Sequence, residues 1–289
     1  MKTSRDWGLQ IRMTIVMILL ATLTIGFGAF IGLYFQNLIF TVIFVVGMSF
    51  VQLIYGHKLA LKAFGAKVVS AEEYPELHST TVRLAQQADM PTPTIAVADT
   101  KITNAFATGR STSTATICVT TSLMEVLTQE ELEAVIAHEL AHIKNRDMIV
   151  MTAAGAIAAI VSMIIRWGFV FRSRGQNATP IIVAMLVAVV TYFVSFLLMR
   201  ALSRYREYSA DRGAVSITGD PMALASALKT ISNSMDSVPK KDLRDAEGIN
   251  AFMISPIKSS HLSRLISTHP TTEKRVEKLQ EITKELNKK

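Results

Sequence analysis

Charged residues are absent from several long stretches of this chain, and these stretches predict its main elements. The first, residues 13–56, contains no charged side chain. As one helix it would extend about 66 Å, roughly twice the hydrocarbon thickness of a membrane. Because Gln36 and Asn37 lie near its middle, we predict a hairpin of two membrane spans, residues 13–34 and 38–55. A cleaved signal peptide is the alternative, but its apolar region would be far shorter.

Two further charge-free stretches, residues 148–165 and 180–199, are each long enough to span a membrane. The first of them is rich in alanine and glycine, which suits close packing between helices. A buried hairpin within a soluble domain is the alternative interpretation. We therefore predict a second membrane hairpin over residues 148–199.

The remaining residues form two polar segments, 57–147 and 200–289, which we interpret as two parts of one domain outside the membrane. They follow the hairpins at residues 1–56 and 148–199. In the first part a helix pattern follows Pro75, and three short runs are typical of strands: residues 94–97, 104–108 and 115–119. The second part is helical and ends in an amphipathic helix. The chain is thus predicted to be a mainly α membrane protein with four membrane helices, an α+β domain and a small antiparallel sheet.

Composition supports a membrane protein and favours lipid over nucleic acid as its binding partner. Hydrophobic residues make up 50% of the chain and charged residues only 18%, with a mean hydropathy of +0.34. Soluble domains carry about a quarter charged residues. The single cysteine, Cys118, excludes an intrachain disulfide. The net charge of +7 suits an anionic lipid surface. The sequence has no basic patch with interleaved aromatic residues, the pattern that would indicate nucleic-acid binding.

A metal-binding pattern, HELAH, occupies residues 138–142. Thr128 and Glu131 form a predicted capping box that opens a helix through this pattern. Histidines four residues apart project from one helix face, so both can hold one Zn²⁺. Glu139 then lies beside the metal, where it can take a proton from the attacking water. The helical context argues against a chance match.

A catalytic zinc site needs a third protein ligand besides the two histidines. Asn145 and Met148 stand where the metzincin pattern requires Gly and His, which excludes that pattern. No Asp or Glu lies between Asp147 and Glu207, so the thermolysin-like carboxylate ligand expected about twenty residues after the motif is absent. Glu207 is therefore the leading candidate. The alternative is a solvated helix face, because arginines flank Glu207 in the sequence.

Asp211 follows Glu207 by four residues and shares its predicted helix face. It can therefore orient a ligand histidine through a hydrogen bond while Glu207 binds the metal. Two apolar stretches separate His142 from Glu207, so the chain returns to the same side of the membrane. We expect both ligand-bearing helices to continue directly into membrane helices. Charged residues around the histidine motif argue against a site within the membrane.

Together these features resemble the HtpX-type membrane zinc metalloproteases, relatives of the prenyl-protein (CAAX) endopeptidases. The resemblance covers most of the chain and rests on the N-terminal hairpin and four motifs, at residues 104–109, 138–142, 207–211 and 269–275. It implies a zincin-like (gluzincin) domain that cleaves damaged or misassembled membrane proteins in quality control and stress response. The implied zinc ligands, one ion per chain, are His138, His142 and Glu207. The implied catalytic residues are Glu139 and His269, and the implied substrate-binding residues are Asn104, Ala105, Phe106 and Ala107.

Two of these roles have plainer alternatives. An edge strand at residues 104–108 can hold an extended peptide by main-chain hydrogen bonds, and Asn104 can donate to the tetrahedral intermediate. The same residues can equally be an ordinary hairpin strand. His269 precedes Pro270 and a helix, so it can be a helix-entry residue. The resemblance instead implies that His269 approaches the cleft and stabilises the oxyanion.

Basic residues flank the first hairpin on both sides and are absent from its connecting turn. This pattern places both polar segments, the active site and both termini in the cytoplasm, in a multi-pass protein of the inner or plasma membrane. One connection does not fit this orientation. The segment between the third and fourth apolar stretches should lie outside the cytoplasm, yet it carries Arg166, Arg172 and Arg174. A second hairpin that enters the membrane and returns would remove this disagreement.

Two other functions stay open on the sequence. A CAAX-type prenyl-peptide endopeptidase would use the same chemistry, although that group typically has more membrane spans. A membrane scaffold with a vestigial motif would need no zinc. Peptide or protein substrates and the lipid bilayer are the expected partners, and the sequence does not determine the oligomeric state.

Overall fold

A computed structural model of the chain describes residues 7–34, 36–152, 160, 178–235 and 270–287. These residues form two compact units. One contains the described residues of Lys58–Met148 and Ser203–Lys289 and the start of the first helix. The other contains those of Gln10–His57 and Ile149–Leu202. In chain order the labelled helices are α1 (Trp7–Tyr34), α2 (Leu38–Ala63), α3 (Pro75–Gln87), α4 (Thr121–Val126), α5 (Gln129–Asn145), α6 (Ala178–Thr218), α7 (Pro221–Met235) and α8 (Thr272–Leu286).

Three helices in the described part of the chain are long and apolar enough to cross a membrane: α1, α2 and α6. Large apolar side chains of α2 are exposed, among them Ile39 at 77% and Phe40 at 65%. Exposed apolar surface of this extent suits contact with lipid. The predicted span at residues 148–165 lies largely outside the described residues. The other three predicted spans coincide with helices that are long and apolar enough to cross a membrane.

The sheet is mixed, and the prediction of an antiparallel sheet was wrong. Its strands lie in the order β1-β2-β4-β3, with β2 and β4 parallel and the outer pairs antiparallel. After β2 the chain forms β3 and then returns antiparallel to it as β4. In the sheet, β4 lies between β2 and β3. β3 is therefore an edge strand. The strand bounds are β1 (Lys67–Val68), β2 (Thr94–Ala98), β3 (Ala105–Thr108) and β4 (Thr116–Thr120).

Both faces of this sheet are covered, which explains why all five residues of β4 are buried. Side chains alternate between the two faces along each strand. One face, which includes Ile117 and Val119, packs on the apolar sides of α3, α5 and α7. The opposite face includes Cys118 and Phe106, whose ring lies 4.6 Å from that of Phe64.

The start of α5 confirms the predicted capping box. The Thr128 hydroxyl accepts from the Glu131 N–H, and the Glu131 carboxylate accepts from the Thr128 N–H at 3.1 Å. The Ser226 hydroxyl of α7 donates to the other Glu131 oxygen at 2.6 Å. Glu131 therefore fixes both the beginning of α5 and its packing against α7.

The helix α5 ends sooner than expected. Arg146 adopts a left-handed conformation with φ of 62°, and its N–H donates to the carbonyl oxygens of His142 and Ile143. Helical structure resumes at residues 147–152. The expectation that α5 continues unbroken was therefore wrong. By contrast, α6 runs without a break from the fourth apolar stretch through Glu207.

Candidate metal centre and active site

Three side chains from two helices form the only potential metal-binding group among the described residues. His138 and His142 lie on α5 and Glu207 lies on α6. The two Nε2 atoms are 3.1 Å apart, and they lie 3.6 and 3.8 Å from the Glu207 oxygens. A tetrahedral zinc ion with bonds of about 2.0–2.1 Å separates its ligand atoms by roughly 3.4 Å. Small side-chain movements would therefore suffice to hold one ion.

Small residues allow α5 and α6 to approach closely enough to form this group. A Cβ atom added at Gly213 would lie only 2.6 Å from Cβ of Ala141. Ala137 and Ala210 are completely buried on the same two helices. The sequence analysis did not identify this contact, although small residues next to both motifs were the available signal.

We expect the Gly213→Ala substitution to destabilise the protein. Its new methyl group would push α6 away from α5, and overpacking of this kind costs about 1–3 kcal/mol. This exceeds the gain of up to about 1 kcal/mol from placing alanine in a helix. Urea unfolding of the metal-free protein in detergent measures the change. Adding Ala141→Gly should recover part of the loss, whereas a Gly213→Ala protein more stable than wild type would contradict the packing argument.

A carboxylate and an arginine contact His138, and the arginine, Arg275, lies 3.4 and 3.3 Å from its Nδ1 and Nε2 atoms. Nδ1 of His138 lies 3.1 Å from Oδ1 of Asp211. Arg275, carried by α8, donates to both Asp211 oxygens at 2.9 and 2.6 Å. It also lies 3.3 Å from a Glu207 oxygen. Asp211 thus contacts a candidate ligand histidine, and Arg275 connects α8 to the centre.

His142 has a second carboxylate that the sequence analysis did not assign to this position. Its Nδ1 lies 2.6 Å from Oδ2 of Asp147, the residue that follows the break at Arg146. Arg206, next to Glu207 on α6, lies 3.3 Å from the same oxygen. Each candidate ligand histidine therefore has its own carboxylate and arginine.

Comparison with known proteins gives the family. The sequence profile of peptidase family M48 matches residues 71–283, which include all of these groups. The chain belongs to this family.

Relatives of this M48 peptidase match over nearly its full length. Protease HtpX homolog 2 of Methanosarcina mazei is 46% identical over 291 residues, 99% of each chain. Protease HtpX homolog of Moorella thermoacetica is 44% identical over 295 residues, covering 98% of this chain and 97% of the relative. The resemblance to HtpX-type proteases is thereby confirmed, and the protein is a protease-family member with helices that can cross a membrane.

The fold of the M48 peptidase is also similar to the crystal structure of Ste24p from S. mikatae. The TM-score is 0.52 at 20% identity, over 94% of this chain and 66% of that one. At this identity the likeness concerns the fold, and it agrees with the mainly helical architecture.

In the part of the chain that the structure describes, the centre of the M48 peptidase contains more buried negative than positive groups. Among these residues four carboxylates and two guanidinium groups surround the histidines, a formal charge of −2 with neutral imidazoles. Each of the six residues is at most 6% exposed. Burying uncompensated charge is costly, so this arrangement favours a divalent cation. The six residues are Glu139, Asp147, Glu207, Asp211, Arg206 and Arg275.

Burial sets the protonation behaviour of Glu139. It raises the pKa of this carboxyl group above its usual value, although the nearby histidines act in the opposite direction. The Ala107 N–H of β3 also donates a hydrogen bond to Glu139. A raised pKa suits a carboxylate that takes up and returns a proton during a reaction.

The pKa of His138 reflects its partners in the metal-free protein. Burial and the positive charge of Arg275 lower it, but hydrogen bonds to Asp211 and Glu207 outweigh them and raise the pKa to about 9. A metal ion at Nε2 would have to displace this proton. The neighbouring carboxylates thus stabilise a positive charge at His138, whether a proton or a metal ion carries it.

The structure places the expected substrate-binding residues at and before the edge strand. Asn104 is completely buried, and its main chain is hydrogen-bonded with Thr120. Ala105, Phe106 and Ala107 form most of β3, and the Phe106 side chain packs on the sheet face that contacts Phe64.

His269, the other expected catalytic residue, lies outside the described residues. Its neighbour Pro270 is buried and leads into α8.

Proposed function

We propose that this protein is a membrane-anchored zinc endopeptidase that hydrolyses peptide bonds of damaged or misassembled membrane proteins at the cytoplasmic face. The observation that carries this proposal is the cluster of His138, His142 and Glu207 beside the buried carboxylate of Glu139. The family and the names of the relatives support proteolysis. The exposed apolar helices support a membrane location.

The ligand set favours zinc, one ion per chain. Two imidazoles and one carboxylate form a common catalytic zinc site, which keeps a position open for water or substrate. The ligand separations, and the formal charge of −2 counted over the described residues, also suit a divalent ion. When bound, zinc would polarise the scissile carbonyl group and make an attacking water more acidic.

Protein groups supply the remaining steps of hydrolysis. Glu139 accepts a proton from the attacking water and passes it to the leaving amine. The edge strand β3 aligns the substrate main chain, and Ala105 and Ala107 lie on its α5-facing side. Asn104 and His269 are proposed donors to the oxyanion. Asp211 and Arg275 hold His138 in place.

Zinc content and proteolysis test this proposal directly. The protein is purified in detergent with a chelator, dialysed and titrated with zinc while casein cleavage is measured. We expect about one zinc per chain and activity that appears with the metal. A membrane scaffold would show neither. A protein that binds zinc but cleaves only prenylated peptides would favour the CAAX-type alternative.

The cytoplasmic orientation predicts which positions an impermeant thiol reagent can reach. In a Cys118→Ala background, a cysteine replacing the exposed Ser79 of α3 should be protected in intact cells and should react after permeabilisation. A cysteine replacing the exposed Gln36, between α1 and α2, should react in intact cells. Labelling of the Ser79 variant in intact cells would exclude a cytoplasmic active site.

The second hairpin can be tested in the same way. Gln176 lies outside the described residues, between the third and fourth apolar stretches. Labelling of a Gln176→Cys variant from outside would indicate two full crossings. Protection of that variant, with normal activity, would indicate a hairpin that enters the membrane and returns.

A further inference from the structure

Asp147 is placed to orient His142 rather than to bind the metal. Its Oδ2 atom lies 2.6 Å from Nδ1 of His142. The other ring nitrogen, Nε2, is the one that faces His138 and Glu207. Since the two nitrogens point away from each other across the ring, a metal held at Nε2 would not reach Asp147. A carboxylate at Nδ1 instead selects the tautomer whose Nε2 lone pair is free.

The local backbone brings Asp147 into this position. The left-handed Arg146 ends α5, and Asp147 begins the next helical segment. Its carboxylate thereby turns back to a histidine only five residues earlier in the chain. Asp147 is 1% exposed, so its charge must be stabilised by protein groups.

Arg206 provides this stabilisation. Its Nε atom forms an ion pair at 3.3 Å with the same Oδ2 atom that contacts His142, and Arg206 is 6% exposed. Within the described residues this Nε atom has no hydrogen-bond partner, so the contact is electrostatic. Within the described part of the chain the other oxygen, Oδ1, has no hydrogen-bond partner. The two contacts at Oδ2 therefore hold the carboxylate. Because Arg206 precedes Glu207, the same turn of α6 supports His142 and supplies the third metal ligand.

We propose that Asp147, held by Arg206, is a positioning residue that fixes the tautomer and orientation of His142 for zinc binding. This inference rests on the proposed zinc site. It gives each candidate ligand histidine a carboxylate at Nδ1, Asp147 for His142 and Asp211 for His138. The helix α6 contributes to both arrangements, through Arg206 and Asp211.

The main test is the zinc affinity of full-length Asp147→Asn, measured by competition with a chromophoric chelator. The asparagine amide can donate to Nδ1 and favour the wrong tautomer, so we expect affinity to fall about 10- to 100-fold. Asp220→Asn is the matched control. It removes the same charge from an exposed position where the side chain caps α7 by accepting from two main-chain N–H groups, as asparagine also does. The control should retain wild-type affinity.

Arg206 supplies a second pair of variants in case Asp147→Asn does not fold. Arg206→Gln should also weaken zinc binding, whereas Arg206→Lys keeps the charge and should restore most of the affinity. The visible absorption bands of the cobalt-substituted protein provide a readout that stability alone does not change. We expect these bands to shift in Asp147→Asn and to stay unchanged in Asp220→Asn.

These measurements separate the inference from the proposed function. A wild-type protein without stoichiometric zinc would overturn the proposed zinc site itself. If the wild type binds zinc, an Asp147→Asn affinity within twofold of wild type would overturn the positioning role alone. An unchanged affinity in Arg206→Gln would likewise overturn the role of Arg206.

Discussion

Replacing Glu139 with glutamine is expected to lower peptide cleavage by about 10²- to 10⁴-fold, the usual effect of losing a general base. Glutamine has nearly the same shape but cannot accept the proton of the attacking water. Glu139 lies beside the metal-binding group without belonging to it, so zinc should stay bound at one ion per chain. Cleavage of casein and zinc content, measured on the same preparation, test both expectations.

Glu130→Gln is the matched control for this experiment. Glu130 lies in the first turn of the same helix and is exposed. Its substitution should leave cleavage unchanged. Full activity in Glu139→Gln would remove Glu139 from the mechanism, and loss of zinc in that variant would mean that Glu139 is itself a ligand.

Replacing Glu207 with alanine is expected to weaken zinc binding by more than about 100-fold, beyond the range for a residue that only supports a ligand. Alanine removes the only carboxylate of the metal-binding group and leaves two histidines. Asp211→Ala should weaken binding by only about 10- to 100-fold, because Asp211 contacts His138 and not the metal position. Competition with a chelator measures both affinities.

Glu277→Ala, at an exposed position of α8, controls for the removal of a glutamate and should bind zinc normally. Equal zinc affinity in wild type and Glu207→Ala would exclude Glu207 as the third ligand. A larger loss in Asp211→Ala than in Glu207→Ala would reverse the two roles. The relative size of the two effects therefore decides the assignment.

Elements that depend on interactions between residues close in the sequence were predictable. The capping box of Thr128 and Glu131 opens α5 as expected, because both hydrogen bonds form within one turn. A helix begins at Pro75, where the pattern predicted one, and the three short strands lie within one or two residues of their predicted bounds. The sheet order was not predictable, since three short strands separated by turns do not indicate which of them lies in the middle.

The sequence by itself determined that the chain has long membrane-competent helices and that His138 and His142 lie on one helix face. Both follow from local rules, namely the length of a charge-free run and the four-residue spacing of a helix. Only the tertiary structure decided that Arg275 and Asp147 also contact the histidines. Arg275 lies 137 residues after His138, and Asp147 reaches His142 only because Arg146 adopts a left-handed conformation. Long-range packing and a single backbone angle of this kind leave no periodic pattern in a sequence.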